Sequence, residues 1–313
     1  MSISRKKGAK GLRRRMLTLM VASVVPLAAL AFASSAQAAL TGILLPFAQC
    51  PTSTPGIELC LNAQTKTGQF TIGSTTVPIN KTITLQGGAV PTGNPANTGE
   101  YFLVPAKDGN SLSKTELNVP GGLTNLVNCT EIKGEGLLEK AERATCKSIF
   151  ENKLTGVTAT TELVANAHNP AILDLTALLT TEGTALTLPV RVHLNNPLLG
   201  SGCYIGSESH PIQLHLTDGT TSPPLPNKPI SGAVGTPVVE QEGEISVLAI
   251  QENSLVDNSF SAPVAEGCGG IFAFLIDPIL DSKIGLPSAA GHNTAVLTGT
   301  TRAISSQFIK EHE

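Results

Sequence analysis

The run TALTLPVRVHLN, residues 184–195, alternates apolar and polar side chains without a break. Leu186, Leu188, Val190, Val192 and Leu194 share one face, and Thr187, Pro189, Arg191, His193 and Asn195 share the other. Successive side chains of an extended strand point to opposite sides, so this spacing makes a half-buried β-strand and cannot gather its leucines on one helix face. Pro189 predicts an edge position or a bulge, because proline has no N–H to give a ladder. The same alternation runs through PIQLHLT (211–217) and TTVPINKTITLQ (75–86), and more weakly through GVTATTELVA (156–165) and EISVLAI (244–250). LQGGAVPTGNP, NNPLLGSG and TDGTTSPPLPNKP read as the turns and loops between them. The expectation is a mainly β fold, an antiparallel β-sandwich or barrel-like sheet. Nothing alternates strand with helix as a parallel α/β sheet would need.

Two segments read as short covering helices. In 134–153, Leu138, Ala141, Thr145 and Ile149 make one stripe. In 271–284, Phe272, Leu275, Ile276, Ile279 and Leu280 recur at helical spacing, with Pro278 expected to break or start the helix and Asp277 to cap it.

The first 38 residues have the layout of an export signal. Seven basic residues from Arg5 to Arg15 precede an apolar run, Met16 to Phe32, and Ala36-Gln37-Ala38 supplies a cleavage pattern before Ala39. Arg13-Arg14-Arg15 fits twin-arginine export as well as general secretion. These residues hold seven of the 21 basic side chains and none of the 24 acidic ones, so the remainder carries 14 against 24, a net charge of about −10. That excludes a basic stripe for nucleic acid. No later apolar run is long enough to span a membrane; the best, IFAFLIDPIL (271–280), contains Asp277 and Pro278. The expected setting is extracellular or at the cell envelope.

All six cysteines, Cys50, Cys60, Cys129, Cys146, Cys203 and Cys268, lie beyond the leader. An even number in an exported chain reads as a disulfide framework, with fifteen connectivities open. Cys50 and Cys60 enclose a Pro- and Gly-containing turn, and Cys129 and Cys146 flank the start of the first helix. Cys203 and Cys268 remain, each beside glycines that let two backbones approach closely. The expected pairs are therefore Cys50–Cys60, Cys129–Cys146 and Cys203–Cys268. Only Cys268 lies beyond the Pro-rich segment 220–237, so that segment reads as a surface loop inside one domain, 39–313.

Signals for chemistry are few. There is no Gly-x-Ser-x-Gly elbow; Ser207 or Ser209 with His210 is the best serine-type arrangement, and its plain reading is a polar turn. No His-Glu-x-x-His, Cys-x-x-Cys, Walker loop or Gly-x-Gly-x-x-Gly occurs, so no metal or cofactor is expected. His193 and His215 project from polar strand faces and would be exposed neighbours if their strands paired in that register. Trp is absent and only Tyr101 and Tyr204 are present, which disfavours an aromatic sugar cleft. A cavity between sheets lined by Val, Leu, Ile and Phe would suit an apolar ligand.

The export signal, CPTSTPGIELC (50–60), HLNNPLLGSGCYIGS (193–207), TDGTTSPP (217–224) and GLPSAAGHNTAVLTG (285–299) resemble a group of secreted proteins of actinobacteria. The resemblance covers most of the chain beyond the leader and implies secretion and a shared fold; it carries over no catalytic residue. The leading expectation is a non-enzymatic protein acting by binding or structure. A secreted hydrolase using Ser207 or Ser209 with His210, and a carrier of a small apolar ligand, are the alternatives.

Overall fold

The computed structural model describes residues 40–126, 129, 132–134, 136–150 and 156–313; the leader lies outside the described residues. Ala38–Glu313 clusters as one compact unit. Its strands are β1 (Leu59–Ile72), β2 (Thr75–Ile79), β3 (Ile83–Pro91), β4 (Glu100–Val104), β5 (Leu117–Asn118), β6 (Thr158–Leu163) and β7 (Ile172–Asp174). They continue with β8 (Leu186–Asn195), β9 (Tyr204–Ile205), β10 (Ile212–Leu216), β11 (Thr236–Glu242), β12 (Ile245–Asp257), β13 (Ala265–Glu266) and β14 (Thr294–Ser305). The helices are α1 (Gly122–Leu126), α2 (Leu137–Phe150), α3 (Leu175–Thr180), α4 (Ala273–Ile284) and α5 (Ser306–His312).

The protein is mainly antiparallel β. One 14-stranded sheet has the main order β11-β12-β14-β1-β3-β4-β7-β8-β6-β5. It curls until β10, on the flank of β8, comes back to β12. Thr217, just past β10, and Val256 of β12 exchange two backbone hydrogen bonds of 3.0 and 2.7 Å.

Bulges drive the curl. β1 has an extra residue between Thr65 and Thr67 against β14, and β12 has one between Gln251 and Asn253. Thr65 and Asn253 both face Gly299, so the strands on either side of β14 bend at one level. Each extra residue also switches which side chains point inward, since strand side chains alternate. In β1, Leu61 and Ala63 line the interior before the bulge and Phe70 after it. In β12 the switch sends Asn253 and Leu255 inward. At Gly299 a Cβ would lie 1.7 Å from the Gln64 carbonyl oxygen, so the crossing admits only glycine.

The main core fills the curl, and every expected inward residue of 186–194 and 212–216 is buried there. Pro189 is not at an edge: β8 is paired on both sides. Its carbonyl accepts from Val164 N, so its missing N–H points to that same flank, where β7 gives way to β6 and no ladder partner is required. Gly87–Pro91, expected as a turn, is the second half of β3. A second core lies outside the sheet, where a 3-10 helix, Gly42–Phe47, and α5 cover β1, β12 and β14 with Leu44, Phe47, Val247, Ile304 and Ile309 around Cys50–Cys60.

The helices depart from expectation. Leu137 and Leu138 of α2 are 91% and 69% exposed, and Ala141 is exposed too, so the expected stripe does not cover the sheet. α2 is held by Cys146, which is buried in its disulfide, and by Arg143, which donates to the Ile132 and Gly134 carbonyls. Pro278 neither starts nor breaks α4. Its missing N–H would have served the carbonyl of Phe274, so the helix forgoes one intrahelical bond there. Asp277 is no cap: its carboxylate accepts from the Gly267 and Cys268 amides, and Asp281 one turn on accepts from Ala265.

The Pro-rich segment is a loop within the unit, leaving the sheet at Thr217 and re-entering at Ala233, which bridges Ser254. Its base is clamped by Gly232 N to Gly219 O and by the Thr220–Ser231 bridge. Asn227 donates from the loop to the Asn258 and Asn293 carbonyls, both 2.9 Å away.

Candidate functional site

Cys50 is joined to Cys60, Cys129 to Cys146 and Cys203 to Cys268, with no free thiol among the described residues. Cys203 and Cys268 are fully buried, their Cα atoms 4.1 Å apart, beside the pairing of β9 with β13. A Cβ at Gly267, where φ is +75°, would lie 2.3 Å from the Gly202 carbonyl oxygen. Gly267, beside Cys268, serves this backbone approach, whereas a Cβ at Gly202 would meet the Gly267 carbonyl only at 3.7 Å.

The structure brings Ser209 and His210 together, with Oγ 3.0 Å from Nδ1, and Ser207 Oγ 3.2 Å from Ser209 Oγ. Both lie in the turn from β9 to β10, where Ser207 N donates to the His210 carbonyl, and Ser209 and His210 are exposed. Among the described residues no carboxylate hydrogen-bonds His210; Glu208 instead lies 3.8 Å from Arg191. Among the described residues no acid orients the base.

His193 and His215 are not neighbours. In the β8–β10 register His215 faces Thr187, whereas His193 faces Tyr204 of β9 and stacks on it at 4.5 Å. Arg191 lies over the same ring at 4.3 Å and is bonded to Glu162 at 2.8 Å, forming a structural patch outside the sheet. Among the described residues no three His, Cys, Asp or Glu side chains gather as a metal set, and no helix is long and apolar enough to cross a membrane.

The concave face of the sheet is different. It encloses a cavity of about 130 Å³, lined by Leu61 and Ala63 of β1, Leu85 of β3, Leu173 of β7, Leu188 of β8 and Leu255 of β12, among others. Phe70 is its one aromatic side chain, and no Asp, Glu, Lys, Arg or His lines it. A second space of about 40 Å³ shares Phe70, Leu117 and Thr161 with the first and runs towards Val192, Leu194 and Ile284. Polar side chains occur mainly beside the bulges: Asn253, 4% exposed, donates to Thr301 Oγ1 at 3.2 Å. Sequence alternation made the leucines of this lining legible. It missed Asn253 and Thr301, because β12 changes its inward parity at Glu252 and no local signal announces the bulge.

One buried charge lies at the base of the Pro-rich loop. Asp218 is 2% exposed and, among the described residues, neither carboxylate oxygen has a partner beyond its own backbone. Burial raises its pKa above the ordinary aspartate value. Burial also raises those of Asp277 and Asp281, partly offset by the amides they accept from. A raised folded-state value means the folded chain binds the proton more tightly. The stabilising contribution is thus complete below the unfolded value of about 3.9 and is lost as pH rises through the folded one. Asp218→Asn is expected to stabilise the protein at pH 7 by about 1 kcal/mol or more, the cost of an unpaired buried group. The gain should vanish below about pH 4, where both side chains are neutral. Urea unfolding at pH 7 and pH 3.5 measures it; an equal gain at both values would contradict a charge effect.

Glu240 shifts the other way. Arg302 of β14 grips it across Ala249 of β12 through Nε–Oε2 and Nη2–Oε1 bonds of 2.7 and 2.9 Å, which hold its pKa down.

No protein-family model, curated protein or solved structure matches this chain.

Proposed function

We propose that the chain is exported, that its leader is removed near Ala38, and that the remainder carries a small apolar molecule inside the curled sheet. The observation that supports this is the uncharged, aliphatic cavity. By this measure a cavity needs about 10–15 Å³ to hold a water, whose share of liquid is about 30 Å³, so the space corresponds to roughly ten waters or about 300 Å³. That is the lower end of the range for small-molecule sites, about 300–1,000 Å³. Three disulfides and the absence of a spanning helix among the described residues accord with an extracellular setting. The hydrolase alternative is left with an exposed turn.

About ten methylene-sized groups fit, and burying each contributes about 0.8 kcal/mol, which sets a ceiling near −8 kcal/mol and a Kd no tighter than about 1 μM. Titration of the purified chain with a neutral naphthylamine fluorophore should give saturable, one-to-one enhancement in the micromolar range. Ala63→Phe places a ring in the cavity and should weaken binding at least tenfold, with thermal unfolding unchanged or raised. Leu255→Phe is a smaller step of the same kind should Ala63→Phe not fold. Absence of saturable binding, or full binding by a folded variant, refutes the carrier.

A further inference from the structure

We propose that the carrier is selective for neutral molecules with an aliphatic body and one hydroxyl-like head, held at Asn253 and Thr301, and that it rejects fatty-acid anions. This rests on the carrier reading and adds the chemistry of the ligand to it.

The argument starts from what the lining lacks. A carboxylate or ammonium entering a cavity without a charged side chain loses its hydration with nothing to replace it. An anion chain of the right length would therefore leave its head in water and its tail only partly buried. The lining contains one aromatic ring, Phe70, so flat aromatic guests find little to stack on, whereas flexible aliphatic chains match the Leu and Val surface.

The head position follows from hydrogen-bond accounting. Asn253 Nδ2 donates to Thr301 Oγ1, which leaves Thr301 with a hydroxyl proton to give. Asn253 Oδ1 receives no donor from the described residues and remains an acceptor. One donor and one acceptor side by side are the complement of a single alcohol group, which both accepts and donates. Of the other polar lining side chains, Ser111 Oγ accepts from Ala106 N at 2.9 Å and Gln86 donates to the Asn110 carbonyl at 3.2 Å. Among the described residues, Gln64, Thr65, Thr161 and Thr300 stand singly, without a side-chain pair that offers donor and acceptor together. The bulge in β12 gives this pair its place. Without the extra residue at Glu252, Asn253 would face outwards, and the interior would have no paired head-group site.

The test is displacement of the fluorophore by decan-1-ol and by decanoate at pH 8, on the folded wild type and on Asn253→Leu. Decan-1-ol should displace at least tenfold more tightly than decanoate, the scale expected when a charged head is denied its solvation. Asn253→Leu, shown folded by thermal unfolding, should lose about tenfold for decan-1-ol measured relative to its own affinity for the fluorophore, the size of one hydrogen bond. Equal or tighter binding of decanoate overturns the selectivity, and so does an Asn253→Leu variant that holds decan-1-ol as well as the wild type. If fluorophore, alcohol and acid all fail to bind, it is the carrier reading that falls.

Discussion

Replacing Cys203 and Cys268 together by alanine is expected to lower stability by about 4 kcal/mol, from the chain entropy that a 65-residue closure removes from the unfolded state. Against a total of about 5–15 kcal/mol, that is enough to shift the urea midpoint by a large fraction of its value. Removing Cys50–Cys60, which closes only 10 residues, should cost about 3 kcal/mol. The order of the two losses is the informative result, read from urea unfolding of each double variant. A loss below about 1 kcal/mol for the long closure would mean that the contacts around this corner persist in the reduced, unfolded chain. Those contacts are substantial: β9 pairs β13, Gly269 N donates to Leu199 O at 2.7 Å, and Asp277 holds the Cys268 amide at 2.8 Å.

Gly299→Ala should be the most damaging single methyl in the protein. The new Cβ would meet the Gln64 carbonyl oxygen at 1.7 Å and the Thr65 Cα at 2.9 Å, both backbone atoms in a ladder that cannot swing aside as a side chain can. Overpacking in a core typically costs about 1–3 kcal/mol; here the loss should reach or exceed the upper figure, since β1 must move away from β14. Both thermal unfolding and fluorophore binding should report it, because the displaced strand carries Ala63 and Thr65 of the cavity wall. Gly109→Ala is the control: its position meets nothing within 4 Å, although its φ of +75° adds some strain. A loss at Gly299 no larger than that at Gly109 would refute the crowding argument, since only Gly109 of the two has a left-handed backbone.

The strands of this fold were legible wherever a single parity ran through a whole segment. Residues 184–195 and 211–217 gave both their extent and their buried faces, and 75–86 predicted β2 and β3, which follow one another along the same flank of β1. Legibility failed where parity changes within one strand. LCLNAQTKTGQFTI and ISVLAIQENSLVD carry no unbroken alternation, so the longest strands, β1 and β12, were the least visible. The Cys203–Cys268 bridge was foreshadowed by glycine flanks because close backbone approach has a compositional signature. At α2 helical spacing located the helix, but Leu138 and Ala141 of the expected stripe are exposed. At Pro278 the expected break is missing: α4 runs through it and forgoes one intrahelical bond.

The join between Thr217 and Val256 has a kinetic meaning. β1 and β14 are zipped over twelve residue pairs, whereas β10 and the following Thr217 return to β12 through a short seam, Thr217 with Val256 twice and His215 N to Asp257 Oδ2 at 2.7 Å, beside the buried Asp218. Proteins open locally at free energies far below that of global unfolding, and the opening begins where few bonds hold. Amide protons along this seam should therefore exchange sooner than those of the central ladder. A molecule sealed inside would escape on the timescale of the seam, so residence time and thermal stability can be tuned separately in this protein.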